Sequence, residues 1–336
     1  MSNLFQKKTI IIHIPDDFGL PEMFKKNLEQ LDFHVISLDH LKKEEKISTL
    51  DYSIHVWKKV INNDKTYKSE TKEKNRLLKE KKIQLELLRS IKDKTDFALI
   101  IRPDLLDTEV IKAIKSSTHK MIGYQWDGLE RYPKIFSKID FFDHFFVFDE
   151  RDLCYNPKLK TTTNFYFDYD IEENSDIDSD VFFIGSFINN RMKALFEISE
   201  HLKNKGLQLN INVVGCNRKY IELNNHKGVN FLTNILNFKE NYNAIKKTKA
   251  ILDLLNDIHN GLSLRTFEAI GFQKKLITNN PLVKNYDFYL PENIFILGER
   301  NIDELEQFLE TPYQKLENEI YEKYSFSFWL KNILYN

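Results

Sequence analysis

Two cysteines in 336 residues, Cys154 and Cys216, set the first limit on what this chain can be. They lie in different regions without CxxC spacing, which excludes a disulfide framework and leaves a thiolate zinc site without ligands. Both read as inert thiols of a reducing compartment. Net charge is equally scarce. With 49 basic against 50 acidic residues, no global field draws the molecule to nucleic acid or anionic lipid, and no nucleic-acid partner is expected. Long apolar runs are missing too: no segment approaches the roughly 20 apolar residues of a spanning helix. The polar start from Met1 to Lys8 leads into Ile10 to Ile14, broken by His13 and Pro15, too short for a signal-peptide core. The expectation is a cytoplasmic protein, with peripheral contact at the inner face of the cytoplasmic membrane as the furthest membrane association.

Metal-ligand spacing is absent as well. Asp143 with His144, and Asp257 with His259, lack the geometry of an HExxH site. Asp-x-Asp occurs at Asp168-Tyr169-Asp170 and Asp176-Ile177-Asp178, but both fall beside a proposed linker and read as solvated acids. Neither a metal nor a cofactor is expected.

What the chain does have is apolar material, 42% hydrophobic and 13% aromatic, enough for two packed cores in a length that exceeds one. Thr9 to Ile14, Pro21 to Leu31 and His34 to Leu38 read strand, helix, strand, the pattern of a parallel sheet with right-handed crossovers. A Lys- and Glu-rich stretch from about Asn62 to Lys94 reads as one or two amphipathic helices with a solvated face, a basic membrane-docking helix being the alternative. Strands follow at Phe97 to Ile101, Lys120 to Tyr124 and His144 to Phe148, with helices at Thr108 to Lys115 and Leu129 to Ile139. The same grammar restarts at Val181 to Ile184 and continues through strands at Leu209 to Val214, Val229 to Leu232, Ala250 to Leu255, Lys275 to Thr278 and Ile294 to Leu297. The expected fold is therefore α/β, two tandem Rossmann-like doubly wound domains facing a cleft. Residues 1–170 are expected to form a first α/β domain, 171–180 a linker, 181–310 a second α/β domain, and 311–336 C-terminal helices returning toward the first domain. Ligands in such folds gather at the carboxyl ends of the strands.

The most informative stretch runs from Leu252 to Gly271, where an apolar strand gives way to a polar loop with Gly261 and then a helix with Ser263 in its first turn. Such an entrance presents backbone N–H groups and a positive dipole end, which suits a diphosphate. Arg265 adds a guanidinium able to hold phosphate oxygens in bidentate fashion. Glu268, at i+3, accepts from ribose hydroxyls or else pairs with Arg265; the bland reading of the two is an exposed helical ion pair. His259 binds nucleotide or merely ends a loop.

The block from Asn260 to Asn279 resembles the donor-binding signature of GT-B glycosyltransferases, in particular the spore-maturation-type and lipopolysaccharide-core branch, where Leu-Arg-x-Phe-Glu precedes a small residue, a glycine and an apolar strand. In many GT-B enzymes two glutamates eight residues apart frame this helix; Glu268 matches the second, while Asn260 stands at the first. Phe183-Ile184-Gly185-Ser186-Phe187 with Arg191 looks like the first strand and glycine turn of the nucleotide domain, and Val213-Val214-Gly215 like the next strand end. The resemblance implies a metal-independent hexosyltransferase whose donor, a nucleotide sugar, is a substrate, with residues 1–170 as the acceptor-binding domain and 181–310 as the nucleotide-sugar-binding domain. Gly185, Ser186, Arg191, Gly215, His259, Asn260, Gly261, Leu262, Ser263, Arg265 and Glu268 would hold that donor. A saccharide or glycolipid acceptor would be expected, and Lys-, Asn- and Ile-rich usage associates the chain with bacterial surface polysaccharide or lipopolysaccharide assembly.

In the N-terminal half, Tyr124-Gln125-Trp126-Asp127-Gly128 follows a strand, so its polar groups should emerge at the cleft. Asp127 is a candidate general base, with a cap or turn aspartate as the alternative, and Asp17 competes for the role. Gly19 would allow close acceptor approach, Trp126 would line it, and Arg102 would bind an anionic acceptor or only pair with Asp104. Two other readings stay open: a sugar-nucleotide epimerase of the same architecture, and a non-catalytic two-lobed ligand-binding protein. A Rossmann dehydrogenase is disfavoured because Ile14-Pro15-Asp16-Asp17 stands where GxGxxG would be.

Overall fold

The computed structural model describes residues 5–16, 19–38, 67–169, 171, 176–224, 228–233, 236–255 and 261–335. Among them the chain forms two six-stranded sheets, every strand pair parallel. The first contains β1 (Thr9–His13), β2 (His34–Ser37), β3 (Thr95–Ile101), β4 (Thr118–Gln125), β5 (His144–Val147) and β6 (Leu159–Thr161) in the order β2-β1-β3-β4-β5-β6. The second contains β7 (Ser179–Ser186), β8 (Leu209–Val214), β9 (Asn230–Leu232), β10 (Thr248–Asp253), β11 (Lys275–Thr278) and β12 (Ile294–Ile296) in the order β12-β11-β10-β7-β8-β9. Each order reverses once, between β1 and β3 in the first sheet and between β7 and β10 in the second. Crossovers on either side of such a reversal leave to opposite faces and open a crevice at the carboxyl ends.

Local chemistry explains the elements. The central strand β3, Thr-Asp-Phe-Ala-Leu-Ile-Ile, is apolar on both faces because helices cover both. Helix α1 (Leu20–Gln30) starts at Gly19, whose φ of 84° lies in the left-handed region, and buries Leu20, Met23, Phe24, Asn27 and Leu28 along one stripe. The Lys-rich stretch forms one long helix, α2 (Tyr67–Ser90), followed by α3 (Thr108–Ser117) with Asp107 as its cap. In the second unit α4 (Asn189–Asn204) and α5 (Arg218–Asn224) precede α6 (Phe238–Lys246), which opens with a reciprocal capping box between Asn237 and Glu240. Helix α7 (Leu264–Gly271) follows β10.

The expected helix from Leu129 to Ile139 does not form. Three single 3-10 turns replace it, at Leu129–Arg131, Pro133–Ile135 and Ile139–Phe141. Pro133 removes an N–H and pushes Tyr132 out of the helical region, to φ −130° and ψ 67°. Strand β6 and helix α5 are additional to the expectation, and β7 begins at Ser179, inside the stretch assigned to a linker.

Three apolar clusters fill the fold. One lies on the outer face of the first sheet and one on the outer face of the second, while the third is shared by both units and the C-terminal segment. That segment comprises α8 (Leu305–Glu310), α9 (Asn318–Lys323) and α10 (Phe326–Tyr335). Helix α10 rests on the first unit: Trp329 packs on Phe165 at 4.2 Å and on Tyr124 at 5.7 Å, and Lys120 Nζ donates to Leu334 O at 2.7 Å. Just before it, Tyr321 Oη donates to Gly271 O of the second unit at 2.9 Å. A Cβ on Gly271 would meet the Tyr166 side chain at 2.5 Å, so glycine is required there by close packing.

Lys275 is 3% exposed and donates to Phe308 O and Thr311 Oγ1. Burial lowers its pKa from 10.5 to about 8. Between those values the unfolded chain holds a proton that the folded chain has released, so stability should rise as pH increases from about 8 to 10.5. Chemical denaturation across that range should show a steeper rise for the wild type than for Lys275→Met.

Candidate functional site

At the reversal of the second sheet, β7 ends in Ser186 and β10 in Asp253. Ser263 caps α7 with its hydroxyl, accepting from Arg265 N at 3.0 Å, and the same hydroxyl donates to Asp253 Oδ2 at 2.7 Å. Thr266 Oγ1 adds a second bond to that oxygen at 3.3 Å. Protein atoms crowd Asp253, and this desolvation raises its pKa against the pull of Ser263 and the Arg265 charge. Arg265 reaches along the helix: its Nη1 donates to Glu268 Oε2 and, at 3.1 Å, to Asn241 Oδ1 of α6. Among the described residues its Nε and Nη2 make no hydrogen bond. Glu268, 3% exposed, accepts in addition from Asn241 Nδ2 at 3.4 Å; burial pushes its pKa up while Arg265 opposes the shift. Its carboxylate thus faces Arg265 and Asn241, the pairing alternative of the two expected for it.

Arg191, in the first turn of α4, returns to the end of β7. Its Nη2 donates to Ser186 O, its guanidinium lies 5.2 Å from the Phe183 ring centre, and its buried Nε has no hydrogen-bond partner among the described residues. Burial lowers its pKa, opposed by the charge of Asp253. A Cβ on Gly185 would lie 2.6 Å from Arg191 Nη2, so the glycine makes room for this return. Gly215, at φ 85°, turns the chain after β8, and a Cβ placed there would meet nothing within 4 Å. Two guanidiniums therefore flank Asp253 beside the entrance of α7.

The first unit closes on that entrance. A Cβ on Gly261 would overlap the ring of Phe148, which follows β5. Leu262 is buried, its carbonyl accepts from Asn164 Nδ2 at 2.9 Å, and Gly261 O accepts from Asn280 Nδ2 at 3.2 Å.

At the carboxyl ends of β3 and β4, Arg102 and Asp127 meet. Arg102 has φ 56°, uncommon for a side chain of its size, and its guanidinium is taken up on all sides. Nε and Nη2 fork onto Asp104 at 2.7 and 2.8 Å, Nη1 reaches Asp127 Oδ2 at 2.5 Å, and the plane covers Tyr132 at 3.9 Å. Burial disfavours the charge, but the Asp104 fork and the Asp127 charge more than offset it and raise the pKa. Of the two readings offered for Arg102, the structure displays the pairing with Asp104, and its donors are engaged by carboxylates. Arg131 approaches Asp127 Oδ1 at 3.6 Å. Trp126 is half-buried, edge-on to Tyr124 at 6.4 Å, and Gly19 lies against the start of α6, where a Cβ would be 3.9 Å from Phe238 N.

The structure thus brings Arg191, Ser263, Arg265 and Glu268 together, and separately joins Arg102 to Asp127. Asp17, His259 and Asn260 lie outside the described residues. Of the expected Asp-x-Asp acids, Asp168 is bonded to Ser327 and Asp178 to Lys247. Sequence reasoning missed Asp253 and Asn241. A polar residue ending the apolar run Ala250 to Leu252 was a usable signal for the first; nothing local marks the second, which arrives from another helix.

No protein-family model matches the chain, and no curated protein does. Solved structures do. The UDP-forming α,α-trehalose-phosphate synthase of Burkholderia xenovorans, in complex with glucose-6-phosphate, superposes with a TM-score of 0.54 at 11% identity, covering 98% of this chain and 99% of that one. A glycosyltransferase of Rickettsia africae ESF-5 gives 0.53 at 13% identity, with 98% and 99% coverage. The fold is GT-B. An E. coli trehalose-6-phosphate protein bound with UDP-2-fluoro glucose gives 0.50 at 10% identity, covering 98% of this chain and 95% of that one. At such identities the likeness carries the GT-B architecture over almost the whole chain and leaves the chemistry to be argued from this chain's own residues.

Because Gly261 meets Phe148 across the two units, Gly261→Ala should destabilise the GT-B fold by about 1–3 kcal/mol through overpacking. Adding Phe148→Ala should recover part of that loss, and urea unfolding of the single and double variants measures the coupling.

Proposed function

We propose that this chain transfers a sugar from a nucleotide-sugar donor to a saccharide acceptor. The observation that carries the reading is Arg265: its Nη1 is anchored to Glu268 and Asn241, which leaves Nε and Nη2 as an oriented fork beside a capped helix entrance. A fork fixed in this way meets two oxygens of a diphosphate without losing further side-chain freedom. Arg191 adds a second, partly desolvated guanidinium at the same reversal, where the fold opens a crevice. The neighbouring structures with UDP-2-fluoro glucose and with glucose-6-phosphate support a nucleotide-sugar donor and a saccharide acceptor.

In the proposed reaction the bond between the anomeric carbon and the diphosphate oxygen breaks, a bond to an acceptor hydroxyl oxygen forms, and the hydroxyl proton leaves. Negative charge grows on the departing diphosphate, where the Arg265 fork, Arg191 and the N–H groups of α7 act. These groups supply the positive charge that a metal supplies elsewhere, so the proposed transfer is metal-independent. Glu268 is a positioning residue for Arg265. Asp127, held by Arg102 Nη1 at 2.5 Å, offers an incoming hydroxyl one oxygen fewer than a free carboxylate. With Arg131 3.6 Å from its Oδ1, we assign it to ordering the acceptor side together with Arg102. The resemblance of the Asn260 to Asn279 block favours a role in bacterial surface polysaccharide or lipopolysaccharide assembly, at the cytoplasmic face of the membrane. Among the described residues no helix is long and apolar enough to cross a membrane.

Thermal-shift screening against UDP-, GDP-, CMP- and dTDP-sugars should identify one donor class that raises the melting point by mass action. With that donor, Arg265→Ala should lower turnover at least tenfold, about 1.4 kcal/mol of transition-state stabilisation, while circular dichroism keeps the wild-type form and the melting point falls because buried Glu268 loses its counter-ion. Near-normal turnover would remove the phosphate assignment.

A further inference from the structure

Asn164, just past the end of β6, belongs to the first unit, yet its amide reaches the entrance of α7 in the second. Its Nδ2 donates to Leu262 O at 2.9 Å, and its Oδ1 accepts from Tyr124 Oη at 2.9 Å. Tyr124 lies near the carboxyl end of β4, fully buried. Burial pushes the pKa of its phenol up, so the hydroxyl keeps the proton that it donates to Asn164. A donor on one side of the amide decides the other: Oδ1 faces the phenol, and the NH2 group is left for the Leu262 carbonyl. The backbone beneath Asn164 is fixed as well, because Phe165 packs on Trp329 at 4.2 Å and Tyr166 N donates to Tyr324 O at 2.9 Å.

What the amide holds is a peptide plane. A trans peptide points its C=O and N–H in opposite directions, so a carbonyl that is held sets the direction of the N–H behind it. Asn164 thereby sets Ser263 N–H. Asn280, beyond β11, holds Gly261 O at 3.2 Å and does the same for Leu262 N–H. Neither N–H makes a hydrogen bond among the described residues. The two planes that lead into the turn of Arg265 are thus set by one asparagine from each unit, with the Phe148 ring packed against Gly261 beside them.

We propose that Asn164 is a positioning residue: through Leu262 O it aims the Ser263 N–H at the entrance of α7, and Tyr124 holds its amide ready. The positioning stands on the geometry alone. Its part in sugar transfer rests on the reading given under Proposed function, in which the N–H groups of α7 meet the departing diphosphate. The second unit then presents its full set of diphosphate donors only with the first unit in place. Two hydrogen bonds, Tyr124 to Asn164 and Asn164 to Leu262, tie that entrance to β4, the strand that runs on into Trp126 and Asp127.

The test compares the full chain with Asn164→Leu and with the double variant Asn164→Leu, Tyr124→Phe. Arg265 N and Thr266 N donate to Oγ and O of Ser263, so their hydrogen exchange in the ligand-free protein reports whether Ser263 keeps its place. In Asn164→Leu that exchange should be about fivefold or more faster, with β10 and β11 unchanged. Nucleotide release per folded molecule should fall about tenfold, measured well below the melting point with the UDP-, GDP-, CMP- or dTDP-sugar that stabilises the chain. Asn164→Leu also strands the buried Tyr124 hydroxyl; Tyr124→Phe removes that hydroxyl, so the double variant should regain part of the lost melting point. Exchange and turnover should not recover with it, because Leu262 O still lacks its donor. Exchange in Asn164→Leu within about twofold of wild type, or turnover that recovers in step with the melting point, would overturn the proposal and leave a bond that serves stability only. Faster exchange in Asn164→Leu, where the wild type releases nucleotide from none of these sugars, would instead remove the sugar-transfer reading and keep Asn164 as the residue that sets the α7 entrance.

Discussion

One serine hydroxyl holds the entrance of α7 in register. Ser263 Oγ accepts from Arg265 N and donates to Asp253, so the bond that starts α7 and the bond that pins it to the end of β10 share an atom. With the helix entry set, Arg265 can only run along the first turn, where Glu268 meets it one turn on and Asn241 meets it from α6. Glu268 is buried, and a buried carboxylate is tolerable because the guanidinium and an amide compensate it; removing either partner would leave a charge without its counter-ion. The same pairing restricts the rotamers of Arg265 before any ligand arrives, which is the sense in which the fork is preorganised.

That geometry depends in turn on how the two units are joined. A single apolar cluster runs from Phe24 and Phe165 through Phe326 and Trp329 to Phe267 and Phe288, crossing both sheets. Edge-on contacts such as Phe24 with Phe326 at 5.5 Å add orientation to this burial. The C-terminal segment acts as a strap: Tyr321 bonds the end of α7, and α10 lies on the first unit. Two glycines take up the closest approaches, Gly261 under Phe148 and Gly271 under Tyr166. Both bracket α7, so the helix that carries Arg265 is held at each end by the other unit.

The parts of this arrangement that were legible in advance are those written in local periodicity. Alternation of apolar strands with amphipathic helices identified the two sheets, because a parallel strand covered on both faces is continuously apolar, as in Thr95–Ile101. The Leu-Arg-x-Phe-Glu block located α7 because cap, dipole and charge all fall within one turn. Pro133 was the missed warning in Leu129 to Ile139, where apolar spacing alone imitates a helix. Pairings between distant segments were not legible. Arg102 reads as an open cation beside a strand until Asp127, 25 positions later, occupies its third nitrogen.

The two reversals differ in what they leave unmatched. At the second sheet Arg265 pairs with buried Glu268 while Ser263 and Thr266 hold Asp253, and what remains is Nε and Nη2 of Arg265, without a hydrogen bond among the described residues. At the first sheet Glu73 and Glu80 share Arg76, Asp104 and Asp127 share Arg102, and among the described residues Nε2 of buried Gln84 has no hydrogen bond. An unpaired buried amide costs about 1–3 kcal/mol, a penalty that an apolar side chain of similar shape would avoid. Doubly wound sheets open their crevices at the carboxyl ends of the strands, and the contact of Phe148, which follows β5, with Gly261, which precedes α7, joins the two units on that side.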